Sequence, residues 1–375
     1  MVPLAQALRD HDHEVAFATG ESFGPVIERA GFRHFTCGRV CEGTRHILEE
    51  LPEWQSIQEK VSHPGIRQLW GFILGFAPQM ADDLIDLFGE WKPDLIVRDP
   101  VEFGSTIAAE LFDLPYASIH WAVYISTWGC DDPLNELRQR YGLPDDPDFD
   151  SFDRYFILNG LPPSWTLQED RPRVIHHFCM PPFDQSIGGD LPSWVTSLPD
   201  QPTVYATLGT TFNQKPGHFR ALIDAFSTEA FNAIITVGKS IDPAQFHPLP
   251  PNVRAERYIP QTLILPYCDA VVFHGGFNSL HSAIWHGLPM VIIPLGGGDQ
   301  RLAAVQCDEL GLGIFVDEAQ PKPETINAAV RAVLEQPSYR QRVDQFRSEM
   351  MALPDLCEAV HRLENLAETR EPQIR

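Results

Sequence analysis

VVFHGGFNSLHSAIWHGLPMVIIPLGGGDQ, residues 271–300, contains two short apolar runs separated by a segment with helical spacing. Residues 270–273 and 290–293 are apolar at every position, which is typical of strands buried on both faces of a parallel sheet. Between them, residues 280–286 repeat apolar side chains at the spacing of a helix, and Gly287 ends that helix. The stretch therefore predicts strand, loop, helix, strand and loop, which is the repeating unit of an α/β sheet.

The first loop of this stretch is suited to an anion. His274, Gly275 and Gly276 follow the first strand, and Asn278 and Ser279 are residue types that cap helix N-termini. A helix N-terminus offers unpaired N–H groups and the positive end of the helix dipole, and glycines let a phosphate approach the backbone. Each feature taken singly is also explained by a tight turn or a cap.

The second loop is suited to a sugar. It carries glycines at residues 296–298 and then Asp299 and Gln300, which we read as the end of the loop. Because ligands of open α/β sheets bind at the carboxyl ends of the strands, both loops are expected at one edge of the sheet. A carboxylate and an amide accept and donate hydrogen bonds, as sugar hydroxyls require.

This ordered combination resembles the donor-binding signature of nucleotide-sugar glycosyltransferases of the GT-B type. Residues 273–279, Phe-His-Gly-Gly-Phe-Asn-Ser, share features with the His-Cys-Gly-Trp-Asn-Ser run of plant members and the His-His-Gly-Gly run of bacterial natural-product members of macrolide and enediyne type. The later Asp299-Gln300 pair matches the Asp-Gln of plant members. The resemblance implies an α/β fold of two facing Rossmann-like domains.

The domain boundaries implied by the resemblance follow the composition of the chain. Residues 1–185 would form an acceptor-binding Rossmann-like domain and residues 203–350 the donor-binding one, with a linker rich in Pro, Gly and Asp at residues 186–202. A C-terminal helix in residues 351–375 would pack back on the first domain.

The start of the chain departs from the family pattern. A helix pattern begins at Val2 and is followed by a strand pattern at residues 13–19. Family members carry a strand and a Gly-His-x-x-Pro loop before the corresponding helix, so we expect the N-terminal domain to lack its first strand. An upstream true start or a truncated sequence is the favoured explanation, and a damaged family member is the alternative.

Composition excludes several classes of function. The 375 residues suffice for two domains, and the formal net charge of −23 disfavours nucleic acid and anionic membrane surfaces as partners. The seven cysteines form no CxxC pair, and we find no signal peptide or apolar run long enough to span a bilayer. We therefore expect a cytoplasmic protein without a metal or another cofactor; its oligomeric state is open, a homodimer included.

Glycosyl transfer with inversion needs a base for the acceptor hydroxyl and stabilisation of the leaving nucleoside diphosphate. The resemblance implies a His base on the Gly-His-x-x-Pro loop, oriented by an Asp, and Asp99 in Val-Arg-Asp-Pro matches that Asp. Asp99 is explained equally well as a turn residue or a helix N-cap. The base has no counterpart in the sequence, and His120, at a predicted strand end, is the other candidate.

The donor-binding residues implied by the resemblance lie in the second half of the chain. They are Gly209, Thr210, Gln261, His274, Gly275, Gly276, Asn278, Ser279, Ser282, Asp299 and Gln300. His274 and the amides after it would contact the diphosphate, Gln261 would border the nucleobase, and Asp299 and Gln300 would hold the sugar. Plant enzymes carry a ribose-binding Glu at the position of Ser282, where a small residue resembles bacterial enzymes that use dTDP-sugars. A dTDP-sugar donor is therefore favoured over a UDP-sugar.

The resemblance implies an inverting glycosyltransferase that moves a sugar from a nucleotide-sugar donor to a hydroxyl of an apolar natural-product aglycone. One alternative is a catalytically inactive homologue that binds a ligand or supports a partner protein, because the His loop is not in the sequence. A sugar-nucleotide epimerase shares the architecture, but the His-Gly-Gly and Asp-Gln pair disfavours it.

Overall fold

The computed structural model of the chain describes residues 1–39, 67–120, 131–147, 151, 154–165, 172–184, 190–209, 216–238, 240–296, 298–317 and 321–374. The chain divides into two compact units. The first unit comprises Met1–Met180 together with Leu353–Arg375, and the second comprises Pro181–Ala352. Among the described residues, no helix is both long enough and apolar enough to cross a bilayer.

Helices and parallel strands alternate in the first unit. In chain order they are α1 (Val2–Asp10), β1 (Ala16–Thr19), α2 (Gly24–Arg29), β2 (Arg33–Thr36), α3 (Arg67–Glu90), β3 (Ile96–Arg98), α4 (Phe103–Leu111), β4 (Tyr116–His120), α5 (Asp131–Arg140), β5 (Phe156–Asn159) and β6 (Ile175–His177). Its described strands form a sheet of order β1-β2 and a sheet of order β3-β4-β5-β6. The lack of a first strand, expected from the resemblance, stays a prediction.

The last helix of the chain, α12 (Leu356–Thr369), belongs to the first unit. Asp355 caps it, because the Asp355 carboxylate accepts hydrogen bonds from the first backbone amides. The apolar face of the helix carries Val360 and Leu363, which pack in one buried cluster with Leu4 of α1 and with strand β4. This burial is what holds the C-terminal helix in the first unit.

The second unit is a single parallel sheet with helices between its strands. Its elements are β7 (Thr203–Thr207), α6 (Pro216–Phe226), β8 (Asn232–Thr236), β9 (Val253–Glu256), α7 (Gln261–Ile264), β10 (Ala270–Phe273), α8 (Phe277–Trp285), β11 (Met290–Ile292), α9 (Gly298–Glu309), β12 (Gly313–Phe315), α10 (Pro323–Glu335) and α11 (Pro337–Met351). The two strands predicted from residues 270–273 and 290–293 are thus confirmed.

The strand order of this sheet is β12-β11-β10-β7-β8-β9, and every pair is parallel. The chain therefore starts in the middle of the sheet, adds strands on one side, and then returns to add the rest on the other side. In a doubly wound sheet this reversal, here between β7 and β10, opens a crevice at the carboxyl ends of the strands. The topology indicates where a ligand binds before any side chain is considered.

Candidate functional site

Three neighbouring strands, β11, β10 and β7, end at the same edge of the second sheet. Phe273 pairs with Thr207 on one side and with Ile292 on the other, so the residues that follow these strands lie close together. They are Gly209 after β7, His274 after β10, and the glycine-containing loop after β11. The sequence predicted that both loops lie at this edge of the sheet. The topology adds that this edge contains the point, between β7 and β10, where the strand order reverses.

The imidazole of His274 is packed between two glycines. A Cβ at Gly209 would lie 2.6 Å from both Cε1 and Nε2 of His274, and a Cβ at Gly276 would lie 2.5 Å from Nε2. Gly209 also has a φ of +80°, which side-chain-bearing residues rarely adopt. The two glycines are therefore needed to make room for the ring.

His274 is a neutral imidazole near pH 7. Burial lowers the pKa of His274 to about 4, because the charged form loses its hydration. Within the part of the chain that the structure describes, its buried Nδ1 has no hydrogen-bond partner. A neutral ring presents one N–H donor and one acceptor, so His274 can donate a hydrogen bond to an anion but supplies no net charge.

The helix after His274 begins earlier than the sequence indicated. α8 starts at Phe277, its N-cap is Gly276 in an extended conformation, and no side chain caps it within the described residues. The prediction that Asn278 and Ser279 are N-cap residues is wrong, because both lie inside the first turn. The first intrahelical bond runs from the Leu280 amide to the Gly276 carbonyl at 3.1 Å. The amides that precede Leu280 therefore point outward as donors for an anion.

A second helix N-terminus lies next to the first. The prediction that Asp299 and Gln300 end a loop is wrong, because both belong to the first turn of α9. Gly275 has a φ of +93°, and a Cβ there would lie 2.7 Å from the Gln300 carbonyl oxygen. Gly275 is therefore the residue that lets the start of α9 approach the loop before α8.

Gln300 and Asp299 play different parts in this second turn. The buried Gln300 side chain accepts hydrogen bonds through Oε1 from the Leu295 amide at 3.1 Å and the Gly296 amide at 3.4 Å. These bonds shape the loop after β11. Asp299 is partly buried, and desolvation raises the pKa of its carboxyl, so a hydrogen-bond donor supplied by a ligand would be favourable there.

Gln261 connects a further loop to the site. Its Nε2 donates to the Ser279 hydroxyl at 3.0 Å, so the start of α7 lies against the first turn of α8. Asp184, which the sequence analysis did not single out, accepts from the amide of Thr262 at 2.7 Å and from its hydroxyl at 3.1 Å. Only proximity in the fold reveals this contact, because the two residues are far apart in the chain.

The remaining predicted donor residues are Ser282 and Thr210. Ser282 lies one turn further along α8 and is 5 % exposed. Thr210 falls outside the described residues. The structure thus gathers Gly209, Gln261, His274, Gly275, Gly276, Asn278, Ser279, Asp299 and Gln300 at one edge of the second unit.

Asp99 belongs to the first unit and follows β3. Its Oδ1 accepts from the Val101 amide at 3.0 Å, which is the geometry of a turn residue. The cap of α4 is Glu102, whose carboxylate accepts from the amides of Gly104 and Ser105 at 2.8 and 2.7 Å. The N-cap interpretation of Asp99 is therefore wrong, whereas the turn interpretation is correct. His120 ends the neighbouring strand and is 1 % exposed.

Comparison with known proteins identifies the family. Residues 6–141 match the model of the erythromycin biosynthesis protein CIII-like N-terminal domain, and residues 221–366 match that of the C-terminal domain. Together the two matches cover more than half of the chain. The chain belongs to this EryCIII-like family. The N-terminal match contains Asp99, and the C-terminal match contains the site residues from Gln261 to Gln300.

Relatives of this EryCIII-like chain extend over nearly its whole length. It is 27 % identical to the 4'-demethylrebeccamycin synthase of Lentzea aerocolonigenes, over 98 % of this chain and 96 % of the relative. It is 26 % identical to the 3-alpha-mycarosylerythronolide B desosaminyl transferase of Saccharopolyspora erythraea, over 100 % and 96 %. The prediction of a bacterial natural-product glycosyltransferase is confirmed.

The fold of the EryCIII-like chain is also that of solved glycosyltransferases. The crystal structure of glycosyltransferase VinC in complex with dTDP superposes with a TM-score of 0.76 at 24 % identity, covering 98 % of this chain and 96 % of that one. The predicted α/β class with two Rossmann-like domains, the GT-B type, is thus confirmed.

Proposed function

We propose that the chain is an inverting glycosyltransferase that moves a sugar from a nucleoside-diphosphate donor, with a dTDP-sugar favoured, to a hydroxyl of an apolar natural-product aglycone. The observation that carries the proposal is the combination of neutral His274 with the uncapped start of α8 at the reversal of strand order. Such a site binds a diphosphate through N–H donors and a helix dipole.

The sugar would be held by the second helix N-terminus. The Asp299 carboxyl, whose pKa is raised by desolvation, would accept a hydrogen bond from a sugar hydroxyl. The Gln300 Oε1 already accepts from the Leu295 amide, so we assign its Nε2 to donate to the sugar. Gln261 borders the nucleobase in this assignment. Ser282 favours a thymidine nucleotide. A Glu at this position would hydrogen-bond ribose hydroxyls, and on a 2′-deoxyribose it would lack one of those partners. The dTDP complex of VinC supports the same choice.

The reaction requires no covalent intermediate. The acceptor oxygen attacks the anomeric carbon from the face opposite the diphosphate, the bond from that carbon to the phosphate oxygen breaks, and the nucleoside diphosphate leaves. The hydroxyl proton has to pass to a general base. The resemblance places that base on a Gly-His-x-x-Pro loop, which is not among these 375 residues, and gives Asp99 the role of orienting it. The helix dipole and the amides at the start of α8 stabilise the charge that grows on the leaving phosphate.

Calorimetric titration with thymidine diphosphate and uridine diphosphate tests the donor site. We expect tighter binding of thymidine diphosphate and a loss of about 10- to 100-fold for His274→Ala, the value of a hydrogen bond to a charged group. The matched control is His286→Ala at the opposite end of α8, a ring that also has a buried nitrogen without a partner among the described residues. Preference for uridine diphosphate, or equal losses in the two variants, would contradict the assignment.

Mass spectrometry of products from a panel of dTDP-sugars and apolar aglycones tests the transfer itself. A product heavier than the aglycone by one sugar residue is the expected result. Binding of thymidine diphosphate without transfer from any donor would instead favour the inactive, ligand-binding alternative.

A further inference from the structure

The start of α7, which carries Gln261, is capped by a residue from a distant part of the chain. The N-cap residue of α7 is Pro260, whose side chain has no hydrogen-bond acceptor. The first amides of a helix need partners from outside the helix. Asp184 is such a partner, because its Oδ2 accepts from the Thr262 amide at 2.7 Å and its Oδ1 accepts from the Thr262 hydroxyl at 3.1 Å.

Asp184 belongs to the segment by which the chain enters the second unit. That unit begins at Pro181, and Asp184 precedes Thr262 by 78 residues. A carboxylate forms stronger hydrogen bonds than a neutral acceptor, and here both of its oxygens are used on one residue. The entry segment is therefore held to the start of α7 at two points.

The two ends of α7 are fixed in different ways. Ile264 at its end and Leu265 just after it are buried, whereas Gln261 and Thr262 at its start are half-buried. From this start Gln261 reaches α8, where its Nε2 donates to the Ser279 hydroxyl at 3.0 Å. Apolar packing thus secures the end of the helix, and the orientation of Gln261 depends on what holds the adjacent Thr262.

We propose that Asp184 is a positioning residue for the donor site: through Thr262 it holds the start of α7, and with it Gln261, against the first turn of α8. This role rests on the proposed function, because Gln261 borders a nucleobase only if a nucleoside diphosphate binds at that turn. Without Asp184 the ligand itself has to order the start of α7, and the entropy lost in that ordering weakens binding.

Two substitutions of Asp184 separate its hydrogen bonds from its charge. Asparagine can accept from the Thr262 amide and donate to the Thr262 hydroxyl oxygen, whereas alanine makes neither bond. Both variants lack the carboxylate, so its repulsion of a diphosphate cancels when the two are compared. In calorimetric titration with thymidine diphosphate, we expect the Kd of Asp184→Ala to exceed that of Asp184→Asn by about 3- to 10-fold, the value of one hydrogen bond.

The matched control is Asp269→Ala. Asp269 also accepts from a threonine amide, that of Thr203 at 2.8 Å, but it lies before β10, at the opposite edge of the same sheet. Its Kd should stay within about twofold of that of the unaltered protein. Thr262→Val removes only the hydroxyl bond and should raise the Kd by about 2- to 4-fold, so it replaces Asp184→Ala if that variant does not fold. An unchanged Kd for Thr262→Val would contradict the role.

A double-mutant cycle tests the path through Gln261. In the Gln261→Ala background, the difference between Asp184→Ala and Asp184→Asn should shrink to within about twofold, because the side chain through which Asp184 acts is absent. Equal Kd values for the alanine and asparagine variants, an undiminished difference without Gln261, or an equal effect of Asp269→Ala would each overturn the role. If the unaltered protein does not bind thymidine diphosphate, the proposed donor site fails together with this role, and that outcome is distinct from the others.

Discussion

Replacing Gly276 by alanine should displace the His274 imidazole without straining the backbone. Gly276 has φ −68° and ψ 140°, a conformation open to any residue. The new Cβ would lie 2.5 Å from Nε2 and 2.8 Å from Cε1 of His274. Because non-bonded heavy atoms rest at about 3.5 Å or more, the ring has to move by about 1 Å.

The size of the effect follows from what that displacement breaks. A hydrogen bond between the neutral ring and a charged phosphate is worth about 1.5–3 kcal/mol. A shift of about 1 Å removes most of it, and a comparable misplacement of a positioned group costs up to about 100-fold. We therefore expect Gly276→Ala to raise the Kd for thymidine diphosphate by about 10- to 100-fold and to lower the free energy of unfolding by about 1–3 kcal/mol, as an extra methyl group in a packed site does.

Isothermal titration calorimetry tests whether displacement of the His274 ring causes this loss of affinity. It compares the unaltered chain, Gly276→Ala, His274→Ala and the double variant. In the His274→Ala background the new methyl group meets no ring, so the second substitution should be silent. Gly217→Ala is the control for a harmless methyl group, because no atom lies within 4 Å of a Cβ at Gly217. An unchanged Kd for Gly276→Ala, or an undiminished effect of the methyl group without the ring, would show that His274 is not the affected group.

Three further predictions concern other parts of the molecule. Asp99→Asn, which keeps the Oδ1 acceptor of the turn, should lower kcat by about 100-fold or more and leave the Kd for thymidine diphosphate unchanged, measured by product formation and titration. Glu110→Ala should lower the free energy of unfolding by about 3 kcal/mol in chemical denaturation, because the buried Arg138 loses the carboxylate that it contacts at 2.7 and 2.9 Å. The control is Glu358→Ala, which breaks an exposed i,i+4 ion pair with Arg362 and should cost under about 0.5 kcal/mol. The pKa of His274 is about 4 in the folded protein and 6.5 in the unfolded chain. Between these pH values the unfolded state binds more protons, so the free energy of unfolding falls as the pH drops from 6.5 to 4. Relative to His274→Gln, the unaltered protein should therefore lose up to about 2 kcal/mol of stability between pH 7 and pH 5.

Much of the second unit was predictable because its signals are local. The runs at residues 270–273 and 290–293 are apolar on both faces, as a strand covered by helices requires, and Gly287 ends the helix between them with a φ of +67°. The family pattern then assigned His274 to the loop after the first of these strands. These properties depend on neighbouring residues, which the sequence displays directly.

The errors arose where a local pattern allowed two structures. Three consecutive glycines indicated a loop as far as Gln300, but the backbone turns into α9 at Gly298. The mixed polar and apolar residues of that helix give little periodic signal, and packing of its start on Gly275 decides its position. Asn278 and Ser279 have the composition of caps, yet the helix begins one residue before them.

Local composition and periodicity were thus sufficient for the α/β class and the edge of the sheet, whereas the candidate donor residues came from the family resemblance. Folding alone revealed the contacts between distant residues: Asp184 with Thr262, and Arg138 with Glu110. The neutral state of His274 belongs to the same group, because it depends on burial between Gly209 and Gly276. Spacing along a chain encodes which backbone shape a segment prefers, whereas hydrogen-bond partners and desolvation exist only once remote segments have been packed together.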